Sequence, residues 1–172
     1  MIKRLAIVVP CYNEEEALPD TDKVLNDLMK DLVKREVVKS NSFILYVNDG
    51  SKDKTWNVIK NAYENSEYVY GLNLAGNKGH QNALLAGLMQ VKDEADVTIS
   101  IDADLQDDVG VIEEMVEKYY SGCDIVYGVR NDRTSDSGFK KFTAEAFYKL
   151  MNYMGAKTVY NSADFRLMSN RA

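Results

Sequence analysis

The sequence contains a single histidine, His80, and only two cysteines, Cys11 and Cys123. One histidine excludes a metal site built from several histidines, and it excludes a Ser/His triad that draws on several of them. The cysteines are far apart and lack the spacing of metal ligands, so we expect both to be small buried thiols of a reducing compartment. No apolar run reaches the roughly 20 residues of a membrane span, and the run after Arg4 is too short for a secretory signal.

Positive charge is also in short supply. The 21 Lys and Arg residues stand against 27 Asp and Glu residues, which gives a formal net charge of −6. A nucleic-acid binder normally carries a basic field, so we expect no nucleic-acid partner, although a local basic patch remains open. The 172 residues, of which 45% are hydrophobic, fit one soluble domain, residues 1–172, with a full core.

Apolar runs alternate along the chain with segments whose apolar residues recur at helical spacing. The runs predict strands at Leu5–Val9, Phe43–Val47, Tyr68–Leu74, Asp96–Ile101 and Cys123–Val129, and the runs Leu5–Val9 and Asp96–Ile101 are typical of buried strands. The spacing predicts helices over about Asp20–Val38, Asp53–Tyr63, Gln81–Val91, Val109–Tyr120 and Phe139–Met154. This alternation is typical of an α/β fold with a Rossmann-like, mostly parallel sheet flanked by helices.

Two carboxylates, Asp102 and Asp104, stand two residues apart directly after the fourth predicted strand. Ligands of open α/β sheets bind just beyond the carboxyl ends of the strands. Two hard oxygen donors at that place suit Mg²⁺ or Mn²⁺, and such an ion suits a diphosphate. The alternative interpretation is a polar turn that caps the next helix, with Asp107 or Asp108 as the N-cap residue.

The turns after the first two strands are polar as well. Tyr12 and Glu14 follow the first strand, and Asp49 follows the second. In a parallel sheet these turns open on the same edge as Asp102 and Asp104, where an aromatic ring can stack on a base and carboxylates can accept from base and ribose donors. Taken singly, Tyr12 is as well explained by packing and Asp49 by turn formation. Their joint placement favours a nucleotide site.

Five segments, taken in order, resemble the motifs of inverting family 2 glycosyltransferases with the GT-A fold. They are Val9–Glu15, Val47–Thr55, Asn77–Ala83, Asp102–Asp108 and Tyr127–Arg133. The Asp-Ala-Asp-Leu-Gln and Gly-Val-Arg-x-x-Arg patterns are most similar to the polyprenyl-phosphate sugar transferases, the group that contains dolichol-phosphate mannose synthase and bactoprenol glucosyltransferases. The resemblance covers essentially the whole chain.

The resemblance implies a role for each matching position. It places the nucleoside against Pro10, Tyr12, Glu14 and Asp49, and the nucleotide or sugar near Lys78, Gly79 and Ala103. It makes Asp102 a ribose or metal contact, Asp104 the principal metal ligand and catalytic residue, and Gln106 a further metal or sugar contact. His80 receives no catalytic role, and we expect it to pack at a helix entry.

The acceptor side rests on later residues. The resemblance makes Asp164 a candidate catalytic base, while a helix cap or a structural partner of Arg166 remains an open alternative. A cluster of cations suits an acceptor phosphate, whereas a solvated helix face would explain it equally simply. The cluster consists of Arg130, Arg133, Lys140 and Lys141.

The implied enzyme transfers a sugar from a UDP-glucose or GDP-mannose type of donor to a polyprenyl phosphate with inversion. A family 2 enzyme acting on a glycan hydroxyl, or a nucleotide-sugar-binding domain without full activity, remains open. We expect a nucleotide-binding part over about residues 1–104 and an acceptor-side part over about 105–172. Members of the polyprenyl group often continue into membrane helices, so we expect a soluble fragment, or a short form, that works at the cytoplasmic side of a membrane.

Overall fold

The computed structural model describes residues 1–129 and 162–172 of the chain. The strands are β1 (Leu5–Cys11), β2 (Phe43–Asn48), β3 (Val69–Asn73), β4 (Val97–Ser100), β5 (Ile125–Val129) and β6 (Ser162–Ser169). The helices are α1 (Leu18–Lys34), α2 (Thr55–Asn65), α3 (His80–Val91) and α4 (Ile112–Tyr120), with a single 3₁₀ turn at Val109–Val111 before α4. Strands and helices therefore alternate as the sequence predicts.

The six strands form one sheet in the order β3-β2-β1-β4-β6-β5. Strands β3, β2, β1 and β4 run parallel, with Ile7 of β1 opposite Ile44 of β2 and Ile99 of β4. All residues of β1 and β2 are buried, which explains why both read as continuous apolar runs. The chain leaves β1 towards β2 on one side and returns to β4 on the other, so the switch point of the sheet lies at β1 and β4.

Strand β6 is a difference from the sequence prediction, which ended the sheet at Cys123–Val129. It runs antiparallel between β4 and β5, with Arg166 opposite Ser100 and Leu167 opposite Ile99. Its short alternation of core residues (Phe165 and Leu167, 3% and 0% exposed) with half-buried Arg166 is a weak strand signal in a polar segment. The mostly parallel sheet of the GT-A prediction is confirmed.

Apolar side chains pack on both faces of the sheet. One face carries the larger cluster beneath α1, α2 and α4, and the other carries a smaller cluster beneath α3. Helix α3 approaches the sheet closely, since a Cβ on Gly87 would lie 2.5 Å from Val8 Cγ1 and 2.7 Å from Val47 Cγ2. The close approach brings the first turn of α3 beside the switch point.

Four further expectations concern the cysteines, two of the predicted helices and membrane spans. Cys11 is buried as predicted, but Cys123 is exposed, so the prediction of two buried thiols was wrong for the second. Helix α1 ends at Lys34, four residues before the predicted end at Val38. The predicted helix Phe139–Met154 lies outside the described residues. Within the described ranges, no helix combines the length and apolarity needed to cross a membrane.

Candidate functional site

A cleft of about 290 Å³ opens at the carboxyl ends of β1, β2 and β4. Seven residues that the sequence singles out line it: Pro10, Tyr12, Glu14, Asp49, Asp102, Ala103 and Asp104. Four others complete the lining: Cys11, Asn77, His80 and Ala83. Three turns that are distant in sequence therefore meet at the switch point, where a ligand of such a sheet is expected.

The turn after β1 is held by hydrogen bonds to the turn after β2. The Asn13 N–H donates to Ser51 Oγ (3.0 Å), and the Lys52 N–H donates to Asn13 Oδ1 (2.9 Å). The Glu14 N–H donates to Thr55 Oγ1 at 2.8 Å. Asn13 adopts a left-handed φ of 57°, a conformation that asparagine tolerates well. These contacts fix the backbone directly after Tyr12, whose side chain is 39% exposed.

Asp49 serves the structure of the cleft wall. It is only 1% exposed, and its two carboxylate oxygens accept from the N–H groups of Lys78 (2.6 Å) and Gly79 (2.9 Å). Gly79 has a φ of 86°, which suits glycine, and it immediately precedes α3. Asp49 thus joins β2 to the entry of α3. The cleft itself is lined by Asn77 and His80, on either side of the predicted pair Lys78 and Gly79.

The turn after β4 carries the two carboxylates that the sequence marks for a metal. Asp104 is exposed, and its Oδ1 accepts the Gln106 N–H at 3.1 Å. Leu105 between them has a left-handed φ of 53°, which is uncommon for leucine. Asp108 Oδ1 accepts the Gly110 N–H at 2.9 Å and caps the 3₁₀ turn. The capping role of Asp108 therefore coexists with the placement of Asp102 and Asp104 in the cleft.

Negative charge accumulates in the cleft. Partial burial raises the pKa of the Glu14 carboxyl above its usual value, and the charges of Asp104, Asp53 and Asp102 raise it further. Carboxylates that disfavour one another's ionisation are stabilised by a cation, so the electrostatics of the cleft suit a divalent ion.

The donor set fits an ion that is shared with a ligand. Within residues 1–129 and 162–172, no three Asp, Glu, His or Cys side chains converge closely enough to enclose a metal ion. Magnesium commonly takes one or two protein carboxylates and completes its shell with water and substrate phosphates. Asp102 and Asp104 supply such a partial shell at an open cleft.

Two of the four cleft residues without a ligand role in the sequence prediction carry titratable side chains. His80 begins α3, as predicted, and its Nε2 lies 3.6 Å from Asp102 Oδ1. Cys11 lines the floor, and burial raises the pKa of its thiol far above the usual range, with a smaller contribution from Glu14. A thiol of that kind is inert at neutral pH. The sequence signal for both residues is their position directly beside a cleft-forming turn.

Of the five predicted acceptor-side residues, only Asp164 lies within the described residues. Asp164 belongs to β6, so the alternative that made it a helix cap was wrong. The cations Arg130, Arg133, Lys140 and Lys141 lie outside the described residues. The structure therefore brings together seven of the residues predicted for the donor half, whereas Lys78, Gly79 and Gln106 are not among the residues that line the cleft.

A mostly parallel sheet with an acidic cleft at its switch point is the arrangement that the predicted GT-A fold requires. The glycosyl transferase family 2 pattern matches residues 6–172. The chain belongs to glycosyl transferase family 2, as the sequence motifs indicate.

Relatives from bacteria and phage support this membership. The chain is 52% identical over 168 residues to the uncharacterized glycosyltransferase YkoT of Bacillus subtilis (strain 168), covering 98% of this chain and 50% of that protein. It is 40% identical over 167 residues to the bactoprenol glucosyl transferase of Shigella phage SfV, covering 96% of this chain and 52% of that protein. The chain therefore spans about half the length of the curated relatives it matches.

Solved structures share the fold. Glucosyl-3-phosphoglycerate synthase from Mycobacterium tuberculosis, in complex with Mn²⁺, UDP and phosphoglyceric acid, superposes with a TM-score of 0.68 at 16% identity, covering 98% of this chain and 56% of that one. The mannosyltransferase PcManGT from Pyrobaculum calidifontis, in complex with GDP-Man and Mn²⁺, gives 0.61 at 17% identity, covering 88% and 39%. At such identities the likeness establishes the GT-A fold.

Proposed function

We propose that this domain transfers a sugar, with inversion, from a nucleoside-diphosphate sugar to a polyprenyl phosphate, using Mg²⁺ or Mn²⁺. The observation that carries the proposal is the acidic cleft, in which Asp102 and Asp104 face the same space as Tyr12 and Glu14. An aromatic ring for a base and a carboxylate pair for a metal-bound diphosphate are the two features that a nucleotide-sugar donor requires.

The donor nucleoside would bind against the turns after β1 and β2. Tyr12 offers an exposed ring for stacking, and Glu14 offers a carboxylate to base or ribose donors. Asp49 contributes mainly by holding Lys78 and Gly79, although it also lines the cleft. Pro10 and Ala103 would form apolar walls, so that the nucleoside lies across the switch point.

The diphosphate would lie at Asp102 and Asp104. A divalent ion held there would offset the charge that develops on the leaving diphosphate. Asp104 is the more exposed of the two and is the principal ligand in our proposal, while Gln106 would contribute its side chain at the rim. The crystallised neighbours that contain Mn²⁺ with UDP or GDP-Man support the same arrangement in this fold.

The acceptor assignment draws on the relatives. Several proteins about 40% identical to this chain are named bactoprenol glucosyl transferases, which favours a polyprenyl phosphate acceptor and a glucose donor over mannose. A phosphate monoester has a second pKa near 6, so at neutral pH it is mostly ready to attack. Its approach to an anionic donor calls for cations, and Arg130, Arg133, Lys140 and Lys141 are the candidates. Asp164 would then assist less than it would for a hydroxyl acceptor.

The proposal also implies which parts of the chain bind donor and acceptor, and where in the cell the domain acts. Residues 1–104 would bind the donor, and residues 105–172 would carry most of the acceptor site. A lipid acceptor requires access to a membrane surface, and nucleoside-diphosphate sugars are cytoplasmic metabolites, so the domain would act at the cytoplasmic side of a membrane.

A binding and transfer experiment tests the proposal. Thermal unfolding is followed with UDP-glucose, GDP-mannose and dTDP-glucose, each with and without Mn²⁺, since a ligand that binds the folded state raises the unfolding temperature. We expect one donor to stabilise the protein, and more so with Mn²⁺. Radiolabelled sugar should then pass to a short polyprenyl phosphate.

The outcomes separate the alternatives. Transfer to a glycan hydroxyl but not to the lipid phosphate would replace the acceptor assignment. Donor binding without transfer or donor hydrolysis would indicate a binding domain. No stabilisation by any of the donors would contradict the proposal as a whole.

A further inference from the structure

A side chain on α1 contacts the peptide between the two metal-motif carboxylates. Thr21 Oγ1 donates to the main-chain carbonyl of Ala103 at 2.6 Å, across 82 residues of sequence. Thr21 is 1% exposed and Ala103 is 4% exposed. The hydrogen bond is thus shielded from water, which would otherwise compete for the same carbonyl.

The Thr21 hydroxyl has another acceptor within reach. Threonines inside helices commonly donate to the carbonyl four residues earlier, and Thr21 Oγ1 lies 3.1 Å from Ala17 O. A hydroxyl has one hydrogen, and the contact with Ala103 O is shorter by half an ångström. The main hydrogen bond therefore leaves α1 and ties this helix to the turn after β4.

That turn is one that needs an external restraint. Asp102, Asp104 and Glu14 are three acidic side chains that line one cleft, so like charges lie close together there. Leu105, directly after the pair, is held at a φ of 53°, where L side chains are disfavoured. Repulsion and backbone strain both favour other conformations of the turn, so the observed one depends on contacts such as that of Thr21.

We propose that Thr21 is a positioning residue: its hydroxyl fixes the Ala103 peptide so that Asp102 and Asp104 are both directed at one divalent ion. Thr21 itself touches neither the ion nor the donor. The proposal rests on the proposed function, because it takes Asp102 and Asp104 as the metal ligands. Groups that orient metal ligands typically change metal affinity by about 10- to 100-fold when they are removed.

The test compares isosteric and hydroxyl-retaining variants. Thr21→Val removes the hydroxyl and keeps the side-chain shape, whereas Thr21→Ser keeps the hydroxyl. Thr98→Val is the matched control, since Thr98 is a 9% exposed threonine in β4, in the strand that leads to the same turn. Should Thr21→Val fail to fold, Thr21→Ala carries the same test.

The first measurement is Mn²⁺ affinity in the presence of saturating UDP, followed by the electron paramagnetic resonance signal of free Mn²⁺. We expect Thr21→Val to bind Mn²⁺ about tenfold more weakly than the wild type, and Thr21→Ser and Thr98→Val to bind as the wild type does. The affinity for UDP in the absence of metal should be the same in all four proteins. A Thr21→Val protein with wild-type Mn²⁺ affinity would overturn the positioning role and leave the proposed function intact.

The second measurement is amide hydrogen exchange at Leu105 and Gln106, which reports the turn without any metal. We expect faster exchange in Thr21→Val than in Thr98→Val at matched global stability. If the wild type itself binds no Mn²⁺, the metal part of the proposed function fails, and this exchange comparison then decides the Thr21 role. Equal exchange in both valine variants would refute it.

Discussion

Carboxylate side chains at the two ends of the sheet have opposite electrostatic surroundings. At the amino end, Asp96 accepts the Arg4 N–H at 2.8 Å and lies 3.4 Å from Lys39 Nζ and 3.7 Å from Lys3 Nζ. At the carboxyl end, Glu14 faces the acidic side chains of Asp102 and Asp104. At the amino end the carboxylate is paired with an N–H donor and ammonium groups, whereas at the carboxyl end several carboxylates lie close together.

The pKa directions express this difference. The Arg4 N–H lowers the pKa of Asp96, with help from Lys39 and Lys3, whereas burial and like charge raise the pKa of Glu14. Folding therefore gains from the charge of Asp96 and loses from that of Glu14. The carboxylate at the amino end therefore stabilises the fold, whereas the crowded carboxylates at the carboxyl end agree with the cation binding that we propose.

Asp104→Asn should give the largest effect. It should impair sugar transfer without lowering the stability of the fold. Because the variant removes the principal metal ligand of our proposal, we expect at least a hundredfold loss of metal-dependent sugar transfer, of the order that a metal's stabilisation of a leaving group provides. The free energy of unfolding should stay the same or rise slightly, since one repelling charge is lost. Initial rates with Mn²⁺ and urea unfolding measure the two quantities.

The control for Asp104→Asn is Asp93→Asn, at an exposed position after α3. It should leave both quantities unchanged. Full activity in Asp104→Asn would remove Asp104 from the metal site.

Asp96→Asn should have the reverse effect, because it removes a stabilising carboxylate at the amino end of the sheet. The lost charge-assisted hydrogen bond with Arg4 should lower the free energy of unfolding by about 1 to 2 kcal/mol at pH 7, while donor affinity stays unchanged. The pKa of Asp96 is lowered by folding, so its contribution is present above its unfolded pKa near 3.9 and is lost as pH falls through the folded value.

Urea unfolding at pH 7, 5 and 3 checks that dependence. The difference between wild type and Asp96→Asn should be full at pH 7 and 5 and smaller at pH 3. A difference that grows towards pH 3 would mean that the carboxylate is not the stabilising form.

Glu14→Gln tests the cost of a carboxylate charge at the carboxyl end of the sheet. Folding raises the pKa of Glu14, so the cost of its charge is felt as pH rises through the folded value and disappears at acid pH. In metal-free buffer we expect the variant to be more stable than wild type by a few tenths of a kcal/mol at pH 7, because solvent screens this partly exposed group. The gain should vanish at pH 3.

The measurement is thermal unfolding with EDTA at the two pH values. Lower stability of Glu14→Gln at pH 7 would show that the Glu14 carboxylate is compensated in the folded protein. Donor binding should weaken in the same variant if Glu14 contacts the nucleoside.

Lys39→Ala should give the smallest effect. Its ammonium group lies 3.4 Å from Asp96, but the side chain is 49% exposed, so we expect a loss of at most about 0.5 kcal/mol. The loss should shrink in 1 M NaCl, which screens surface pairs. A loss as large as that of Asp96→Asn would assign the stabilisation to the lysine rather than to the Arg4 N–H.

Much of the fold and of the donor site was predictable because the relevant signals are local. Buried parallel strands appear as unbroken apolar runs, and polar turns after them must meet at one edge of the sheet. That reasoning located Tyr12, Glu14, Asp102 and Asp104 at a common cleft. Strand β6 was not predicted from the sequence, because only part of the strand is buried and its partner strands are distant in sequence.

The residues that hold the site in shape carry no such signal. Thr21 resembles any helical threonine, and its contact with Ala103 spans 82 residues. Asp49 was expected to bind the nucleoside, yet it accepts two N–H groups from the entry of α3. His80 and Asn77 line the cleft because α3 packs closely on the sheet at Gly87.

The order of apolar runs and polar turns was enough to specify the class of fold, the edge of the sheet at which the cleft lies and the acidic character of that cleft, because each depends on residue type and short-range spacing. The antiparallel return of β6, the hydrogen bonds of Asp49 with Lys78 and Gly79, and the hydrogen bond from Thr21 to Ala103 depend on which distant segments come into contact. Such contacts arise from packing between elements, and no local pattern in the chain encodes them.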